Sequence, residues 1–368
     1  MGVGATRTLD RLATSLGDVQ GGSAIVFVPA LDIACGGVLW ALPSLLAVGL
    51  LTPALQLFTL DEGFYPLSSI LLFLAFLALA RIPTLEKIRY LAPAEWGTLL
   101  GLDRIPEVKT LRNKIKSLCL DGKRVAEWGA QLATTWMNST EEHAGMFYVD
   151  GHLREYSGDH AHLPRHFSSR QRLCLRGVVD YWVNAYGGDP FFVVSKELDP
   201  GMVSMLREEI VPRLLRDYHP PVATSGEAKH PKFTIIFDRG GYSLALFAEL
   251  ALQGIAVLTY KKFVNDEWPS SEFVKRLVRL VSGEQVEMLL AERPLALPHN
   301  VPAREMRRLN ANGHQTSVIC TDMFRLLISI APYMFARWCQ ENFFKYMMRE
   351  FNIDHLCAHE LVNLPGTT

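Results

Sequence analysis

Apolar residues follow two different periods along this chain. Over roughly the first 140 residues they recur at helical spacing, and prolines at 83, 93 and 106 cut the later part of that stretch into short helices. From Met146 the pattern turns to strands. "MFYVDGHLREY" and "LCLRGVVDYWV" are rich in β-branched and aromatic residues, and "FFVVS" is a short apolar run, so three strands are expected. A helix over 202–217 follows, with Leu206, Ile210, Leu214 and Leu215 along one face. "KFTIIFDRGGYSLALFAELALQGIAVLTY" then reads as strand, tight glycine turn, helix and strand, a βαβ unit of parallel-sheet type. Residues 263–321 read as further strands and loops, and a long closing helix is expected over 326–351. The pattern divides the chain into a helical region, 1–140, and an α/β region, 141–368, that contains a β-rich insertion at 263–321.

Composition changes this picture little. The chain has 368 residues, 49% apolar and 20% charged, with a net charge of −1, so it is globular and its total charge names no partner. Six scattered cysteines form no C-x-x-C pair, which argues against a zinc ribbon or a disulfide scaffold and suits a reducing compartment. No basic leader precedes a compact apolar core, so no signal peptide is expected. The run "AIVFVPALDIACGGVLWALPSLLAVGLL", 24–51, is long enough to cross a bilayer. It carries Asp32, Pro29, Pro43 and the Gly36–Gly37 pair, and no Lys or Arg lies between Arg11 and Arg81. Packed helices broken at those residues are the expectation there, with a membrane anchor as the alternative.

The chemistry lies in the carboxylates. Two apolar strands end in aspartate, "FYVD" at Asp150 and "TIIFD" at Asp238. Carboxylates at the carboxyl ends of central strands stand where open α/β sheets bind ligands. In the closing helix, "ARWCQENFFKYM" sets Arg337, Glu341 and Lys345 four residues apart on one line, among aromatic neighbours. That line is either a salt-bridge stripe or a metal-ligating glutamate flanked by phosphate-binding cations. Asp150, Asp238 and Glu341 together offer three hard oxygen donors, suited to two Mg²⁺ or Mn²⁺ ions. Two such ions about 3.5–4 Å apart clamp the attacking and leaving oxygens of a phosphoryl displacement. Asp322, after "SVICT", is a rival third carboxylate and reads better as a loop residue. His152, His160, His162 and His166 crowd one stretch without a complete zinc ligand set. No GxGxxG, GK[ST] or G-x-S-x-G pattern occurs.

"YVDGH", "FDRGGYS" and "RWCQENFFKYM" resemble the three catalytic blocks of the DDE transposases of bacterial insertion sequences, whose catalytic domain is RNase H-like. The order agrees, and the spacings are 88 and 103 residues, the second long enough for a β-rich insertion. "GLDRIPEVKTLRNKI" and "GVLWALPSLLAVGLL" also look like the N-terminal part of such enzymes. Against the tyrosine–arginine–glutamate–lysine signature of many relatives, position 348 is Met, Lys345 stands one turn past Glu341, and Tyr333 lies one residue further from Arg337. The resemblance implies metal-dependent cleavage and strand transfer at transposon ends. It also implies a homodimer on double-stranded DNA (terminal inverted repeats and target) and a cytoplasmic, nucleoid-associated place without membrane. An RNase H-like nuclease that never joins, or an inactive or truncated DNA-binding remnant, are the alternatives. DNA binding is expected in the helical region, where seven basic residues between Arg104 and Arg124 face only Glu107 and Asp121. There Leu111, Ile115 and Leu118 form an apolar face, Lys109, Arg112 and Lys116 lie elsewhere, and Thr110 is expected to cap the helix.

Overall fold

The computed structural model describes residues 2–61, 63–138, 145–158, 162–168, 172–219, 230–280, 282–335 and 338–354, and of 338–341 only the backbone. The chain divides into two compact units, one built on residues 1–132 with 349–352, the other on the remainder.

The first seven helices are α1 (Thr8–Ser15), α2 (Leu42–Ala47), α3 (Thr52–Leu57), α4 (Leu67–Leu79), α5 (Pro93–Leu99), α6 (Val108–Cys119) and α7 (Gly122–Met137). The sequence of α4 is apolar on every side, and it is a core helix: Ile70, Phe73 and Phe76 are enclosed with Trp96 and Leu111. Asp103 fastens the start of the chain, accepting bonds from Thr6 N (2.9 Å), Arg7 N (3.0 Å) and Arg11 Nη2 (2.5 Å). The apolar run 24–51 forms a 3₁₀ turn (Gly36–Ala41) and then α2, which starts with Pro43 in its first turn. Among the described residues no helix is long and apolar enough to cross a membrane. One local expectation fails. α6 begins at Val108 with Glu107 as its flanking residue and no side-chain cap, so Thr110 is inside the helix. Two residues already wound after Glu107 leave the hydroxyl past the orphan N–H groups that a cap would serve.

The second unit holds β1 (Met146–Glu155), β2 (Arg165–Ser168), β3 (Leu173–Asn184), β4 (Pro190–Lys196), α8 (Met202–Met205), α9 (Val211–Asp217) and β5 (Phe233–Phe237). It continues with α10 (Leu244–Leu252), β6 (Ile255–Tyr260), β7 (Val274–Arg279), β8 (Gln285–Leu297), β9 (Val301–Leu309), β10 (Gln315–Cys320), α11 (Leu327–Phe335) and α12 (Trp338–Phe351). The strands make one sheet in the order β2-β3-β1-β5-β6-β10-β9-β8-β7, with β4 also paired to β3. β4, β3 and β1 are antiparallel neighbours, β1, β5 and β6 are parallel, and β10 returns antiparallel to β6. "TIIF" and "IAVL" are continuous apolar runs because their strands are covered on both faces. One face carries Val149, Ile235, Phe237 and Val257 against Leu206, Leu214, Phe247 and Leu250 of the crossover helices. The other carries Tyr148, Ile236 and Leu258 against Ile330, Tyr333 and Met334 of α11.

One helix differs from the sequence expectation. The segment 202–217 contains a π-helical turn, Leu206–Ile210, ahead of Pro212, whose missing N–H interrupts the regular bonding ladder. The closing segment is helical over Leu327–Phe335, with Pro332 inside, and over Trp338–Phe351.

Candidate active site

The last parallel pair between β1 and β5 is Val149 with Phe237, and each is followed by an aspartate. Asp150, still within β1, and Asp238, just past the end of β5, therefore stand at one level on adjacent strands, beside a pair held ~4.8 Å apart by the strand spacing. Side chains alternate along strands. Val149 and Phe237 enter the crossover-helix core, so Asp150 and the extended Asp238 fall on the face of Tyr148 and Ile236, where α11 lies. Asp150 is half-buried and Asp238 exposed. Each accepts a bond at Oδ1 from the next backbone N–H, Gly151 at 2.9 Å and Arg239 at 2.6 Å. The "RGG" after Asp238 is a 3₁₀ turn. A Cβ on Gly241 would come within 2.5 Å of the Phe237 ring, so only glycine permits this tight exit.

The third element arrives over the same face. Tyr148 donates its hydroxyl to Tyr333 O (2.6 Å), fixing the end of α11 above β1. α12 then packs on the residues around Asp150. Phe344 stacks on His152, with ring centroids 5.4 Å apart and 20° between planes, and Phe343 meets Trp182 edge-on at 5.5 Å. His152 is two residues past Asp150 on β1, and Trp182 is the register partner of Asp150 on β3. Position 341 lies two and three residues before these rings, within one helical turn of ~5.4 Å. The side chain of Glu341 and all of Arg337 lie outside the described residues. Lys345 is exposed on α12.

Hard carboxylate oxygens on neighbouring strands fit a magnesium- or manganese-type ion. Among the described residues no group of three His, Cys, Asp or Glu could hold a metal by itself, so Asp150 and Asp238 need a further donor. Asp322 is not that donor. Thr321 N bonds to Val257 O (3.0 Å) and Val257 N to Thr321 Oγ1 (2.8 Å), at the opposite end of β6. Tyr260 is the β6 residue level with Asp238, so Asp322 lies three or more residues away, ~10 Å along the strands. It is buried and accepts from Phe324 N (2.9 Å) and Arg325 N (3.1 Å). Of the crowded histidines, His166 bonds to Glu197 O at 2.9 Å.

The basic residues separate into two kinds. Lys109, Arg112 and Lys116 are exposed along α6, and Arg112 pairs with Glu86 at 2.6 Å. Arg104 is buried, bonded to Ile105 O, and does not belong to that surface. Arg304, Arg307 and Arg308 form a second basic cluster in the sequence, and the fold buries Arg304 and Arg307 and half-buries Arg308. Arg307 is fully enclosed by Glu305 (2.7 Å) and Asp266 (2.8 Å), Arg304 pairs with Glu292 (3.2 Å), and Arg308 donates to Phe335 O (2.9 Å). Their strand is sandwiched between β8 and β10, and the charges of Arg304 and Arg307 are paired in place.

Sequence reading missed the segment just past β6. Arg239, Lys261, Lys262, Phe263, His314 and Thr316 line a cavity of about 700 Å³. The signal was present as "YKKF" directly after a buried strand.

Comparison with known proteins gives the family of the chain. Residues 2–368 match the family model described as "Transposase protein". A piggyBac transposase, solved as a synaptic complex with hairpin DNA, is similar in structure at a TM-score of 0.41 and 10% identity, over 77% of this chain and 59% of that one. This chain thus spans less than two thirds of that protein's length. No curated protein matches it. The family match runs across both units, and the chain belongs to that transposase family.

Proposed function

We propose that this chain is a DNA transposase that cleaves transposon ends and joins them to target DNA, using Asp150, Asp238 and Glu341 in an RNase H-like domain with residues 263–321 as its insertion. One observation carries the reading: two aspartates stand at one level on adjacent strands, where the parallel pairing of β1 and β5 ends, under the helix that carries Glu341. The order β4-β3-β1-β5-β6, an antiparallel meander joined to parallel strands, supports an RNase H-like core.

In the first step a water oxygen bonds to the scissile phosphorus, and the bond from phosphorus to the 3′ oxygen breaks, leaving a 3′-hydroxyl. In the second, that hydroxyl oxygen attacks a target phosphate and displaces another 3′ oxygen. Each step exchanges one phosphorus–oxygen bond for another and needs no covalent protein intermediate. Asp150, Asp238 and Glu341 would hold two magnesium or manganese ions, which would supply the positive charge that such displacements require. Asp150 and Asp238 would fix where those charges sit, because both are set by the paired strands β1 and β5. Lys345 and Arg337, one turn on either side of Glu341, hold the neighbouring phosphates.

Purified protein with Mg²⁺ should nick DNA carrying the sequences that flank its coding region. Asp150→Asn, Asp238→Asn and Glu341→Gln should each lower the rate by orders of magnitude, since a lost ligand misplaces an ion. Wild-type cleavage by Asp238→Asn would overturn the assignment. A pre-cut end offered with plasmid target separates joining from mere nuclease action.

A further inference from the structure

The cavity past β6 adjoins the proposed site and contains a residue that packing does not explain. Tyr260 is level with Asp238, so Lys261, Lys262 and Phe263 project one to three residues beyond the carboxylate end of the sheet. Phe263 is 83% exposed. Its φ is +59°, a conformation costly for a bulky residue and retained mostly where function needs it. Beside it, Arg239 and Lys262 have no carboxylate partner among the described residues. Arg239 faces the Tyr260 ring at 5.9 Å and Lys262 the Tyr242 ring at 5.8 Å. The other charges of the cavity are mostly committed: Lys261 to Glu305 at 2.6 Å, and Asp266 to Arg307 at 2.8 Å. Glu267 is the remaining acid of the lining.

A solvent-facing aromatic ring sharing one cavity with two cations that have no carboxylate partner among the described residues matches the chemistry of an unpaired nucleotide. The base stacks on the ring and the cations take the adjoining phosphates. We propose that Phe263 is a stacking wedge for an unpaired base next to the scissile phosphate, with Arg239 and Lys262 holding the phosphates on either side. This rests on the reading of Asp150 and Asp238 as the reaction site. The wedge would hold the end open, so that the strand entering the carboxylates is single rather than stacked in a duplex.

The test uses the full chain without divalent metal and two fluorescein-labelled duplexes of mixed sequence, one fully paired and one with an unpaired flap. Anisotropy should show wild type preferring the flapped duplex. Phe263→Ala should weaken flap binding roughly ten-fold, within the range for one lost base–aromatic stack. It should leave paired-duplex affinity unchanged, and Phe263→Trp should restore the preference. Phe263→Gly should lose the preference while raising the melting temperature, because glycine adopts positive φ freely. Arg239→Ala and Lys262→Ala should each flatten the salt dependence of log K by about 0.7–0.9. The wedge is overturned if wild type does not discriminate, if Phe263→Ala discriminates normally, or if Phe263→Gly melts lower than wild type. It is also overturned if Phe263→Ala only turns a dimer into monomers. No chemistry occurs in this assay, so a failed wedge leaves the cleavage assignment standing, and a failed Asp238→Asn test shows independently in the nicking rate.

Discussion

The two ends of the central strands carry aspartates that look alike in sequence and differ in kind. "FYVD", "TIIFD" and "SVICTD" all place an aspartate after an apolar strand. Asp150 and Asp238 stand together where the parallel pairing of β1 and β5 ends, one half-buried and one exposed. Asp322 follows an antiparallel strand and is delivered to the other end, where it is 1% exposed and faces Arg325 Nε at 3.4 Å. Its oxygens serve the turn into α11 by accepting two backbone N–H groups. Strand direction decides which end of the sheet an aspartate reaches. Access to solvent then decides whether it can meet a substrate.

This contrast is best broken by one pair of substitutions. Asp238→Asn should abolish metal-dependent nicking while leaving the melting temperature nearly unchanged, as for an exposed polar exchange. Asp322→Asn should nick normally. Asp322→Ala should destabilise the fold by about 1–3 kcal/mol, because it strands two buried N–H donors. Calorimetry and nicking rates on the same preparations read both effects. A dead but fully stable Asp322→Asn protein would erase the distinction between the two ends.

A second buried carboxylate sharpens the comparison through pH. Burial alone would push the Glu305 carboxyl up. Bonds from Lys261 (2.6 Å), Ser317 (2.8 Å) and Arg307 (2.7 Å) outweigh it and hold the group below the ordinary glutamate value. The unfolded chain then binds this proton more readily, so the stabilisation is present above the ordinary value and is lost as pH falls through the lower folded one. Urea midpoints measured from about pH 5 to about pH 3 should fall less steeply in Glu305→Gln than in wild type. Equal slopes would mean that the network contributes no linkage.

The smallest expected effect concerns the exposed face of α6. Arg112→Ala with Lys116→Ala should weaken DNA binding and reduce the salt slope of log K by up to about 2. The Glu341→Gln protein should still bind. An unchanged slope in the double variant would make this face a solvated one and leave binding to the other unit.

Much of this arrangement was legible because it depends on local pattern. Apolar runs ending in Asp150 and Asp238, the βαβ segment that contains Asp238, and the aromatic helix around Glu341 are all properties of contiguous residues. What was not legible depends on pairing. Only register shows that Asp322 lies ~10 Å from the other aspartates. Only the placement of β9 between β8 and β10 shows that Arg304 and Arg307 are interior residues with fixed partners. Composition counts them as surface charge. Phe263 was hidden for a different reason: a lone aromatic in a basic turn has no periodicity to mark it.

The sheet also has a free margin, and β7 occupies it. Ten strands in one sheet leave the outermost backbone able to pair with another molecule, the usual route to fibrillar association. Along β7, Lys275, Arg276 and Arg279 interrupt the exposed apolar Val274 and Leu277. Lys275 is satisfied across the hairpin by Glu287 at 2.5 Å. Arg276 and Arg279 keep their charge at the rim, where a second copy of the same edge would bring arginine against arginine. That repulsion opposes edge-to-edge pairing of two copies along β7.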